Sequence, residues 1–273
     1  MQQALLIPDR FTDWRMWAGI PGRLAPRSRI SHLDQLISLP WAAAPEAVVG
    51  LARSQMPAGW DVVVAAGQAC PFAVSLAAAG LARGLVLVQP EIPVDRIPDD
   101  VDLGPATPGL DGLQHDAVAP YETLIGAMHA ATPEEWRALL TETIRQTAPP
   151  GLPHPELDLM VQIARDHAGE VRAELLDFER AETAERYQPE AAQSLWRRER
   201  GRWLDQFAAL RLPVLAVVPG PERFIGETLG RIARDFFDTV VTERGIVPPS
   251  TAAARNQAAA AIEGMLDRVS RQG

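Results

Sequence analysis

Short apolar runs alternating with helical stretches predict an α/β protein: a doubly wound, mostly parallel sheet with an inserted helical cap. Five runs are brief, rich in Val, Leu or Ala, and bounded by Pro, Gly or Asp, as strands buried on both faces are. They are Ala4–Ile7, Asp61–Ala66, Gly84–Val88, Val214–Val218 and Asp238–Thr242. Helical patterns separate them, and strand–helix–strand alternation favours parallel pairing. A long, charged block of helical period splits the third run from the fourth.

In chain order, Pro45–Gln55 has Pro near its start and apolar residues at Val48, Val49 and Leu51, an amphipathic helix. Pro71–Leu81 is small and apolar all round, the composition of a helix buried against a sheet. Residues 91–117 are dominated by Pro, Asp and Gly and read as an irregular excursion. Thr132 followed by Glu135 is a capping box. Asp158–Glu185 reads as one long helix with Met160, Ile163, Ala164, His167, Val171, Leu175 and Phe178 on a single stripe facing the sheet. Ser250 caps a final helix carrying Ala258, Ile262 and Leu266. The expected division is a core of residues 1–117 and 206–273 and a cap of residues 118–205.

Composition narrows the function classes. A net charge of −9 over 273 residues argues against nucleic acid and anionic membrane surfaces, which both need a positive field. All 26 basic residues are Arg, which fits a GC-rich, actinobacterial coding bias and leaves no lysine for Schiff-base chemistry. Cys70 is the only cysteine, so no internal disulfide or cysteine metal cluster forms. No apolar run reaches the roughly 20 residues that span a bilayer, and MQQALLIPDRF lacks the features of a signal peptide. A cytoplasmic protein without metal or cofactor is expected, with a small molecule as its partner; a homodimer is left open.

Four segments, in order, resemble the α/β-hydrolase fold superfamily. Ala4–Asp9 with Thr12–Trp17 resembles the first central strand and oxyanion loop. Asp61–Pro71 resembles the strand, nucleophile elbow and following helix. Leu212–Glu222 resembles the strand that carries the acid, and Thr239–Ile246 the strand and loop that carry the histidine. The departures are chemical. Where the family's G-x-S-x-G elbow places its nucleophile, this sequence has Ala69, and Pro71 replaces the second glycine. The histidine position is Ile246, and no histidine follows His167. The acid position, Glu222, keeps its carboxyl. A triad needs base and nucleophile within hydrogen-bond reach, so the resemblance implies a member without one.

Several groups remain as candidates. The Cys70 and Arg10 backbone N–H groups occupy the oxyanion-hole positions. Asp9 stands where the family has a glycine, either as a pocket carboxylate or in an Asx turn. Gln68 reaches a ligand or makes a structural hydrogen bond. Glu222 is a site acid or a rim residue paired with Arg223 or Arg244. His167 is a proton shuttle or a packed histidine on an apolar stripe. The Cys70 thiol reads as inert core. Asp9, Glu222 and His167 are thus the catalytic candidates, with Arg10, Gln68, Ala69 and Cys70 lining the substrate site. The function this implies is a non-hydrolytic lyase, isomerase or cyclase acting on a carbonyl-containing small molecule in specialised metabolism. The alternatives are a catalytically silent binder or scaffold, and an esterase-like hydrolase with a non-standard base.

Overall fold

Strands that are apolar at every position have to be covered on both faces, and this chain supplies helices for each. The computed structural model describes residues 1–9, 12–32, 45–90, 92, 123–124, 126–148, 152–187, 195–219, 223–242 and 252–272. Six strands are described: β1 (Gln2–Ile7), β2 (Ser28–His32), β3 (Val62–Ala66), β4 (Leu85–Val88), β5 (Val214–Pro219) and β6 (Phe237–Thr242). They form one sheet in the order β2-β1-β3-β4-β5-β6, every neighbouring pair parallel. The five foreseen runs are all strands; β2 was not foreseen, because Ser-Arg-Ile-Ser-His carries no apolar run.

Alternation along the strands divides the core into two layers. Leu5, Ile7, Val63, Ala65, Leu87 and Ala216 face a cluster with α2 (Pro45–Gln55), α3 (Cys70–Ala78), α7 (Leu195–Ala209) and α8 (Arg223–Ile232). Leu6, Val62, Val64, Ala66, Val86 and Val88 face Met16, Trp17, α1 (Ile20–Leu24) and α9 (Ala252–Gln272). The α3 helix stops three residues short of its expected end because Gly80 takes a φ of +75°.

After β1 the chain builds β2 on one side, then crosses back through α2 to lay β3 on the other. Strand order therefore reverses between β1 and β3. In open α/β sheets the crevice beyond the carboxyl ends of such a strand pair is where ligands bind.

The chain divides into two compact units, Met1–Asp102 with Glu199–Gly273, and Leu103–Arg198. The second unit contains α4 (Pro133–Thr147), α5 (His154–Asp166) and α6 (Ala168–Tyr187). The Thr132–Glu135 capping box is formed in both directions. The single helix expected over Asp158–Glu185 is instead two. At His167 the backbone leaves the helical region (φ −102°, ψ 13°). Next to it, the Trp136 indole N–H takes the Ala168 carbonyl at 2.7 Å. A side-chain donor inserted at that point accounts for the break. Ala164, Val171 and Leu175 of the expected stripe pack, with Ala168, against Trp136 and Leu140 in the unit's own core.

The helix cap expected at Ser250 lies outside the described residues.

Candidate functional site

The carboxyl ends of β1 and β3, where strand order reverses, each run into a chain reversal. The first follows β1, where Pro8 is buried and Asp9 half-buried. The backbone of Asp9 is fixed from both sides. Its N–H points at Met16 Sδ (3.0 Å), and its carbonyl accepts from Thr12 N–H (3.1 Å) and Thr12 Oγ1 (2.6 Å). Met16 and Trp17 are anchored in the core beneath. The N-cap of this segment is Asp13, which accepts from Arg15 N–H at 2.9 Å. Asp13 thus makes the Asx-type turn considered for Asp9.

The Asp9 side chain is left to reach across to the second reversal, after β3. Gly67 follows Ala66 directly with a φ of +49°, then Gln68 and Ala69 make a 3-10 turn into α3. Oδ1 of Asp9 accepts the Gln68 N–H at 2.9 Å. A Cβ on Gly67 would fall 2.3–2.4 Å from all three atoms of the Asp9 carboxyl group. Gly67 is therefore required twice, by its left-handed φ and by the carboxyl above it.

This geometry corrects two expectations. The tip of the turn is Gly67, not Ala69. Ala69 is helical (φ −84°, ψ −8°) and 2% exposed. The left-handed residue comes two positions earlier because the chain turns as soon as the strand ends. Second, the Cys70 N–H is spent inside the turn, donating to the Gly67 carbonyl. The turn N–H that meets a carboxylate is that of Gln68, and the carboxylate is the chain's own. The Cys70 thiol is fully buried, 3.5 Å from the Ala65 carbonyl, where it packs as core. Arg10, Glu222, Arg244 and Ile246 lie outside the described residues. His167 belongs to the second unit, half-buried at the break between α5 and α6.

Sequence reasoning missed Gln89. It directly follows β4 with a φ of +50°, the one left-handed non-glycine among the described residues, and its N–H still donates to the Val217 carbonyl at 2.8 Å. Such a conformation costs roughly 1–3 kcal/mol and is found where surrounding structure enforces it. Gln89-Pro90 gives no hint of it, since a residue before proline is biased toward extended backbone. Gly67 did carry a signal: a glycine placed immediately after a valine-rich strand.

The second unit carries an open groove of about 760 Å³ lined by Ala127, Ala131, Ala138, Leu139 and polar residues of α4. Its polar residues have local roles. Glu135 completes the capping box, and Glu142 lies 3.7 Å from Arg145. Among the described residues no group of three His, Cys, Asp or Glu side chains is arranged to hold a metal, and no helix is long and apolar enough to cross a membrane.

No family model and no curated protein matches this chain. Solved structures do. A thermophilic esterase from Thermogutta terrifontis is 18% identical with a TM-score of 0.55, covering 98% of this chain and 90% of that one. A carboxylesterase from Nitrososphaera gargenis has a TM-score of 0.64 at 11% identity, with 100% and 92% covered. MenH from S. aureus has a TM-score of 0.57 at 10% identity, with 98% and 94% covered. At these identities the likeness establishes the fold and nothing finer.

Proposed function

We propose that this chain, which has the α/β-hydrolase fold, is a non-hydrolytic enzyme of the elimination, isomerase or cyclase type, with Asp9 as its acid–base group. Its substrate is a carbonyl-containing small molecule of specialised metabolism. One observation carries the reading: a carboxylate, oriented by the Gln68 N–H, stands over a turn tip that has no side chain. A nucleophile elbow needs an attacking atom at that tip. Here the tip offers none, and a proton acceptor lies beside it.

The chemistry follows from the donor set. A carboxylate accepts a proton from a carbon next to a carbonyl, the C–H electron pair moves into the enolate, and the resulting carboxylic acid returns the proton at another atom. The Gln68 N–H donates to Oδ1 and orients this carboxylate at the turn. Glu222, which lies outside the described residues, is proposed as a further acid–base group.

The binding-only alternative is favoured by the same hydrogen bond, since a carboxylate that satisfies the turn is also a structural plug. Deuterium uptake by cyclohexanone in D2O, followed by NMR, separates the two. Enzyme-dependent uptake that disappears in Asp9→Asn supports catalysis; no uptake above buffer supports the plug. Hydrolysis of p-nitrophenyl acetate abolished by His167→Ala would support the esterase-like alternative instead.

A further inference from the structure

β6 closes one side of the sheet, with β5 on its inner side and no strand among the described residues on its outer side. In a parallel ladder, alternate residues direct both backbone polar groups toward the neighbouring strand, and the residues between direct both away. Val214 pairs with Phe237 and its N–H donates to the Phe236 carbonyl, so Asp238, Val240 and Thr242 bond to β5. The backbone N–H and C=O groups of Phe237, Thr239 and Val241 therefore point outward. Side chains alternate between the two faces of the sheet. Thr239 lies over Gly226 of α8, and Asp238 pairs with Arg268 of α9, so Val240 is on the α9 face. There it is 42% exposed, a large hydrophobic residue left uncovered among the described residues.

An exposed strand edge is a template for another strand, and proteins guard such edges with charge, proline or bulges. β2, at the other edge, carries the exposed Arg29. β6 reads Phe-Asp-Thr-Val-Val-Thr: it has no proline, and its single charge, Asp238, is neutralised by Arg268. The strand is also complementary to itself. Thr239 and Val241 flank Val240 symmetrically, so a two-fold axis at Val240 sets the outward groups of Thr239 against those of Val241 in a second copy, and the reverse. Val240 then meets its own counterpart as a non-hydrogen-bonded pair, with Cα atoms about 4.5 Å apart, the spacing at which side chains are closest. Asp238 stands opposite Thr242 and not opposite another charge.

We propose that the outer edge of β6 is a dimer interface, at which two copies of this chain pair antiparallel about Val240 and continue the sheet. An isologous contact requires the same patch on both partners, and the symmetry of the outward groups about Val240 provides it. The interface does not depend on the reaction proposed for Asp9.

Sedimentation equilibrium of the full-length protein over a dilution series, with Tm recorded for each variant, tests this. The wild type should pass from dimer to monomer on dilution. Val240→Lys sets like charges directly opposite each other. Thr239→Pro removes an outward N–H from each copy and leaves the β5 ladder intact. Each should weaken dimerisation about tenfold or more, with the Tm of the dilute protein close to the wild type's. Introduced thiols report the register, because Cys70 is the only cysteine and is fully buried. Val240→Cys should form an intermolecular disulfide under mild oxidation, its Cα separation lying within the range a disulfide spans. Asp238→Cys, about 14 Å from its counterpart in this register, should not. Cross-linking keeps the question decidable if either of the first two variants fails to fold. A wild type that stays monomeric at millimolar concentration overturns the proposal, including the case in which the edge takes a strand of a different protein. A dimer unaffected by Val240→Lys and Thr239→Pro, or cross-linked equally well through both cysteine variants, overturns it too.

Discussion

The Asp9 carboxylate and the Gln68 N–H meet at 2.9 Å across the point where strand order reverses. The contact exists because Gly67 has no side chain. Gly67→Ala is expected to destabilise the protein by more than the roughly 1–3 kcal/mol of a left-handed φ alone, because the new methyl displaces the carboxyl. Adding Asp9→Ala should return the carboxyl's share and leave the φ cost. Denaturant unfolding of the two single variants and the double variant measures that coupling, and strict additivity would show the two residues to be independent.

Asp9→Ala and Asp9→Asn should differ in stability. Alanine leaves the Gln68 N–H without its acceptor, a loss of about 1–3 kcal/mol. Asparagine keeps an acceptor oxygen in the same place, so its Tm should stay close to the wild type's. Equal Tm values for the two variants would mean the hydrogen bond contributes nothing.

In the second unit, Trp136 is 1% exposed, donates to Ala168 and lies 5.9 Å beneath the Arg172 guanidinium. Trp136→Phe keeps most of the packing and strands the carbonyl, a cost of about 1 kcal/mol. Trp136→Ala should cost about 3–5 kcal/mol. Hydrogen exchange resolved by segment should show the greater loss of protection in Pro133–Thr147 and Ala168–Tyr187.

Acid should weaken the start of the α4 helix. The Thr132 backbone N–H, and secondarily its hydroxyl, hold the Glu135 carboxyl below its ordinary value of 4.5. A carboxyl whose folded pKa is depressed contributes stability in full above its unfolded pKa and loses it as pH falls through the folded one. Between pH 5 and 3 (roughly the window of an ordinary glutamate and below), Glu135→Gln should therefore show a shallower fall in Tm than the wild type. Thr132→Ala should lose about 1 kcal/mol at neutral pH as well.

Most of the fold was legible because β3 and β4 are apolar at every position and the helices around them are amphipathic or wholly small and apolar. β2 was not, since an edge strand with half-exposed polar residues carries no periodic signal. The break at His167 was hidden for another reason. It depends on Trp136, 31 residues earlier, reaching the Ala168 carbonyl, a tertiary contact that helical period cannot reveal. At the site, Asp9 and Gln68 were singled out from the resemblance, but their relationship was not. Which residue forms the tip of a turn depends on where the strand ends, and a shift of two positions moved the tip from Ala69 to Gly67. The left-handed φ of Gln89 had no local cause in the sequence at all.

Comparing the rate of deuterium uptake by cyclohexanone with wild type and with Asp9→Asn, at matched Tm, tests the assignment of Asp9 most directly. A proton acceptor in the reaction predicts a fall on the order of 10²–10⁴-fold. Equal rates in two equally stable proteins would contradict it and leave Asp9 as a structural acceptor for the turn.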